Sequence, residues 1–129
     1  MVSNKHSSLV GVLVVASLAA TVLMACACSP FETGNGPTLI FFRAANCPYC
    51  KQMTPVVNEI EDKYGKQLNV IYAEVEQQQG KVLARQHGII GYPAILLLDS
   101  EDERANLFHG VIPPSILEQA VEDLLREEP

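Results

Sequence analysis

The stretch that most restricts this chain is Cys47-Pro48-Tyr49-Cys50, set between an apolar run, Thr38 to Phe42, and an amphipathic stretch that begins at Lys51. A proline right after the first cysteine fits the first turn of a helix, where its missing N–H removes no hydrogen bond. The first cysteine then stands at the helix start, and the second lies about one turn in on the same face. Thiols so placed close a short disulfide. The partial positive charge and unpaired N–H groups of a helix N-terminus favour a thiolate there. Cys47 is therefore read as the attacking sulfur and Cys50 as the resolving one. The competing readings are a structural disulfide and half of a zinc site. Zinc requires two more ligands, and the remaining candidates are Cys26, Cys28 and the isolated His6, His87 and His109, none at metal spacing. Redox chemistry is the reading adopted, and no metal ligand is assigned.

The chain has 129 residues, room for one domain, and its 48% hydrophobic content includes a biased N-terminus that is set aside before fold reasoning. Residues 1–26 have the form of an export signal or lipoprotein anchor: Lys5 and His6 make a weakly positive start, and Leu9 to Ala25 is apolar except at Ser17 and Thr21. Leu23-Met24-Ala25-Cys26 resembles a bacterial lipobox, which makes Cys26 the candidate lipidation site; Met24 departs from the usual pattern. A cleaved signal peptide and a retained single-span anchor are the alternatives, since the stretch is close to spanning length. All three export the domain, so its cysteines are read in an oxidising compartment. Cys28 goes with the anchor rather than with the chemistry. The net charge is −6, and Lys5 is the one Lys or Arg before Cys26, so the rest of the chain is more acidic still. That balance argues against nucleic acid as a partner.

Residues 27–37 read as a tether, rich in Ser, Pro, Gly, Asn and Thr from Ser29 on, and residues 38–129 as the folded domain. Thr38 to Ala44 is nearly continuous in apolar residues, as in a central strand buried on both faces. From Pro48 to about Lys66, Met53, Val56, Val57, Ile60 and Tyr64 recur at helical spacing, with Pro55 expected to kink the helix. Leu68 to Val75 is a second strand, and Gly80 to His87 a short helix capped by Gly88. Gly91-Tyr92-Pro93 turns into a third strand, Ala94 to Leu98. The charged loop Asp99 to Glu103 leads to a fourth, Arg104 to His109, and a last helix from Pro114 to Glu127 is expected to bury Ile116, Leu117, Ala120, Val121, Leu124 and Leu125.

This order implies an α/β fold in which a parallel βαβ unit precedes an antiparallel hairpin and a closing helix, giving a mixed four-stranded sheet flanked by helices on both faces. The dithiol after a strand, Pro55 five residues past Cys50, Tyr92-Pro93 before a strand and Gly110 before the last helix together resemble the thioredoxin family, over roughly residues 37–128. The resemblance implies the thioredoxin fold and a redox-active Cys47–Cys50 disulfide with no other cofactor. It also implies a cis Tyr92–Pro93 bond facing the dithiol, where the Tyr92 main chain pairs with an extended substrate segment. Pro48, Tyr49, Tyr92 and Pro93 are accordingly read as substrate-contacting residues.

Two positions depart from the family. Its buried acid in the central strand is replaced by Phe41, and its tryptophan before the dithiol by Asn46. No partner for proton transfer to Cys50 is evident in the sequence, with Glu74 a poor substitute. Arg43, on the same side of the strand as Phe41, has two readings: it stabilises a nearby thiolate, or it reaches solvent from the strand end. The Pro-Tyr dipeptide is the one glutaredoxins use, but their Gly-Gly-x-x-Asp segment is missing after Leu98, which argues against a dedicated glutathione enzyme. His87 and His109 are assigned no role.

The function expected is an exported, membrane-tethered thiol–disulfide oxidoreductase acting on protein cysteines from the periplasm or the outer face of the cell membrane. The helical insertion of exported oxidases and the dimerisation domain of exported isomerases have no counterpart here. A monomeric reductase recharged by a membrane electron-donor protein fits best, with isomerase or oxidase as alternatives. From another class, the runner-up is a module that binds Cu(I) through the dithiol for delivery.

Overall fold

The computed structural model describes residues 35–128. The N-terminal stretch read above as an export signal or lipoprotein anchor, Cys26 included, and most of the residues read as a tether lie outside the described residues. The elements are β1 (Thr38–Arg43), α1 (Pro48–Tyr64), β2 (Asn69–Glu74), α2 (Gln78–Gln86), β3 (Ala94–Leu98), β4 (Arg104–His109) and α3 (Pro114–Glu127). The sheet runs β2-β1-β3-β4, with β1 parallel to β2 and antiparallel to β3, and β3 antiparallel to β4. It is the mixed sheet that the element order implies.

The sequence of β1 shows no polar alternation because both of its faces are covered. Leu39 and Phe41 pack with Met53, Val57 and Ile60 of α1 and Leu117 and Val121 of α3. Ile40 and Phe42 point the other way, to Leu83 and Ala84 of α2. One face thus carries two helices and the other carries one. Among the described residues, no helix is long and apolar enough to cross a membrane.

Several boundaries differ from the sequence reading. β1 ends at Arg43, one residue before Ala44, β2 is bounded by Asn69 and Glu74 rather than Leu68 and Val75, and α1 stops at Tyr64 rather than Lys66. Its last turn closes through Gly65 N–H to the Glu61 carbonyl and Leu68 N–H to the Tyr64 carbonyl. α2 starts at Gln78, before Gly80, and its N-cap Gln77 makes no side-chain bond, so no capping residue announces the start. Gly80 is buried in the first turn because a Cβ there would lie 2.0 Å from the Glu74 carbonyl oxygen. Gly88, at φ +67°, follows the helix in the left-handed conformation that suits a terminator. Ile116 corrects the reading of α3: it is 51% exposed, while Leu117, Val121 and Leu124 form the buried stripe. Six apolar residues at helical spacing make a wider stripe than the neighbouring elements cover.

Candidate active site

Cys47 is the N-cap of α1, with extended backbone, and its sulfur accepts a hydrogen bond from Cys50 N–H at 3.1 Å. Its carbonyl accepts from Lys51 N–H, and Pro48 fills the first helical position. The sulfur thus occupies the place that a Ser or Asp oxygen takes at other helix starts, facing N–H groups without intrahelical partners. Cys47 and Cys50 are joined by a disulfide, their Cα atoms 5.2 Å apart. The two differ in surroundings. Cys47 is partly exposed, whereas Cys50 is 2% exposed and belongs to the apolar cluster of Phe41, Met53 and Val57.

The sheet brings the second turn to the same end. Phe42 pairs with Ala94, so Pro93, one residue before Ala94, emerges where β1 delivers its chain to the dithiol. The Tyr92–Pro93 bond is cis. Pro93 is buried and Tyr92 exposed. Gly110 N–H donates to the Pro93 carbonyl at 2.8 Å, which ties this turn to the end of β4. Tyr49 is 59% exposed, and Pro48 is exposed beside it. The sequence reading passed over Ile90, 93% exposed, and Val111, also exposed. They flank the proline turn and Gly110 in the chain, and that adjacency was the available signal.

Beneath the dithiol lies a cavity of about 220 Å³ lined by Arg43, Ala44, Ala45, Cys50, Lys51, Thr54 and Glu74. Arg43 and Glu74 are register partners across the parallel β1–β2 pair. Both the Nε and Nη2 of Arg43 contact Glu74 Oε1, at 2.6 and 2.5 Å. The guanidinium also lies over the Tyr72 ring, 5.0 Å from its centroid, a cation–π contact. Tyr72 in turn meets Phe41 edge-on, with centroids 6.1 Å apart. Its hydroxyl lies 2.8 Å from both Asn58 Oδ1 and Glu61 Oε2. Burial, then the bond to Glu61, pushes the Tyr72 phenol up to about 12, so it stays neutral in working conditions. Arg43 is engaged with Glu74 and is partly open to solvent. Glu74, set aside from sequence as a substitute acid, lines the same cavity as Cys50. Among the described residues, no three His, Cys, Asp or Glu side chains are grouped as a metal site.

Residues 30–123 match the thioredoxin family model. The chain belongs to the thioredoxin family. A thiol-disulfide oxidoreductase of Bacillus subtilis, YkuV, is 53% identical over 36 residues, which cover 28% of this chain and 24% of that relative. The match therefore spans about a quarter of the relative's length.

Proposed function

We propose that this protein is an exported thiol–disulfide oxidoreductase that reduces disulfides in other proteins, with Cys47 as nucleophile and Cys50 as resolving thiol. The observation that carries this reading is the difference in exposure between two cysteines one helical turn apart. A substrate disulfide reaches the partly exposed Cys47 but not Cys50, which is 2% exposed. The reduced Cys47 thiolate attacks one substrate sulfur, and the other leaves with the bonding pair as a thiolate. Cys50 then attacks Cys47 Sγ, expels the second substrate thiolate, and re-forms the Cys47–Cys50 disulfide. Two electrons pass to the substrate. The designation of the B. subtilis relative supports this reaction class.

The Tyr92 main chain pairs with an extended segment of the substrate, with Pro93 fixing the turn and Pro48 and Tyr49 as the apolar rim. The domain works as a monomer outside the cytoplasm, held at the membrane by lipid on Cys26, and a membrane electron donor restores the dithiol.

The test is reduction of a disulfide-bonded protein such as insulin by the purified full-length chain with a small dithiol as reductant. Turnover is expected to vanish in Cys47→Ser, and Cys50→Ser is expected to accumulate a mixed disulfide at Cys47. Retained turnover in Cys47→Ser ends the assignment. Preferential reshuffling of scrambled disulfides assigns an isomerase, and Cu(I) binding without turnover assigns a delivery module. Mass spectrometry of the membrane fraction checks the anchor, with a diacylglyceryl-sized adduct expected on an N-terminal Cys26.

A further inference from the structure

Cys50 must shed a proton before it attacks the mixed disulfide, because the thiolate is the nucleophile. An ordinary thiol, with a pKa of about 8.5, is only about 3% ionised at pH 7, and apolar surroundings hold a thiol further toward its protonated form. Cys50 is packed against Phe41, Met53 and Val57 on one side. On the other it lines the polar cavity. The acceptor is therefore sought among the cavity's side chains. Arg43 and a protonated Lys51 have no lone pair to offer. Thr54 is committed as a donor to the Cys50 carbonyl at 2.9 Å, and its hydroxyl is a far weaker base than a carboxylate. Glu74 remains.

Arg43 holds its carboxylate while leaving one oxygen unengaged. Both Arg43 bonds end on Oε1, so Oε2 has no protein partner among the described residues. The Tyr72 ring braces Arg43 from below. The backbone of Glu74 is held by Gln77 N–H, which donates to its carbonyl at 3.0 Å, and by the first turn of α2, which approaches closely at Gly80.

We propose that Glu74 is the proton acceptor for Cys50 and that Arg43 is the residue that positions it, with a water in the cavity passing the proton between them. The cavity, about 220 Å³, is several times the roughly 30 Å³ that a water occupies, and it is polar. The inference rests on thiol–disulfide exchange at this dithiol. In the step, Cys50 S–H gives its proton through water to the Glu74 carboxylate. The sulfur's freed pair forms the bond to Cys47 Sγ, and the pair of the mixed disulfide departs on the substrate sulfur. The proton on Glu74 is then released through the cavity to solvent. Charge and electrons balance, and no further oxidant or reductant enters.

The experiment resolves the two steps by acid-quenched single turnover of the reduced full-length protein against a disulfide-bonded protein, from pH 5.5 to 9.5. In Glu74→Gln, formation of the mixed disulfide should be unchanged. Its resolution at pH 7 should slow by roughly ten- to a hundredfold, at or below the low end of general-base contributions. The gap should narrow as the pH rises toward 9.5, where hydroxide competes with the carboxylate for the thiol proton. Arg43→Lys, which keeps the charge but loses the fork, should fall between the two. Resolution at the wild-type rate from pH 6 to 8, or slowing by the same factor at pH 9.5, overturns the proposal. If Glu74→Gln does not fold, the wild-type profile decides. A resolution rate independent of pH from 6 to 8 supports the relay, and one that climbs tenfold per pH unit toward 8.5 overturns it. Failure of Cys50→Ser to form any mixed disulfide would instead remove the underlying reaction, so the two failures are distinguishable.

Discussion

The two faces of the sheet are made from the same strands, yet they finish differently at the end that carries the dithiol. Toward α2, Ile40, Phe42, Ala73, Leu83, Ala94, Leu96 and Leu98 form a layer of apolar side chains throughout. Toward α1 the layer begins in the same way, with Leu39 and Phe41, but the next residue of that face on β1 is Arg43, and its register partner on β2 is Glu74. The dry layer there gives way to a half-buried ion pair beside a thiol. One face supplies stability and needs nothing but close packing. The other spends part of its core on charge, and the cavity left there gives Cys50 a polar outlet.

The comparison is broken most severely on the dry face. Phe42→Ala removes a fully buried ring and should cost about 3–5 kcal/mol, read as a lowered urea midpoint. Exchange per folded molecule should keep its wild-type pH dependence, since Phe42 points away from the cavity. Gly80→Ala joins the two faces, because the new Cβ is driven onto the carbonyl of Glu74. It should cost about 1–3 kcal/mol as overpacking, and should also slow resolution of the mixed disulfide by shifting Glu74. A loss of stability with unchanged resolution would show that the position of Glu74 does not matter to the chemistry.

The smallest effect concerns His87, at the end of α2. Burial first, and then the positive charge of Arg104, hold its imidazole below the ordinary value of 6.5. Between the folded and unfolded values the unfolded chain binds the extra proton, so stability should fall as the pH drops below about 6.5 and level off beneath the folded value. His87→Asn should flatten that part of the curve, measured as the thermal midpoint at pH 7 and pH 5. The dithiol should be indifferent to the change.

Much of this was legible because it is local. β3, β4 and α3 occupy the residues read from the sequence, since Pro93, the Asp99–Glu103 loop, Gly110 and Pro114 punctuate them and the runs between have one clear period. Pro48 at the first helical position fixes the relation of Cys47 to Cys50 with no help from the rest of the fold. The start of α2 was missed because Gln77 and Gln78 carry no capping chemistry. In the sequence Gly80 reads as a beginning, whereas in the fold it lets α2 lie against β2.

What the sequence determined by itself is therefore the alternation of elements, the mixed sheet and a dithiol at a helix start. Alternation along β1 also put Arg43 on the Phe41 face, but it could not say what Arg43 would meet there. That depends on how β1 aligns with β2, where a one-residue slip turns every side chain to the other face. The aligned pair sets Arg43 against Glu74, 31 positions further along the chain. Only the tertiary structure decides that, because register is fixed by the packing of Phe41 and Tyr72 under α1 and of Phe42 and Ala73 under α2. The same packing settles that Ile116 stays outside while Leu117 goes in, since a helix buries the stripe that meets a neighbour, however many apolar residues it carries.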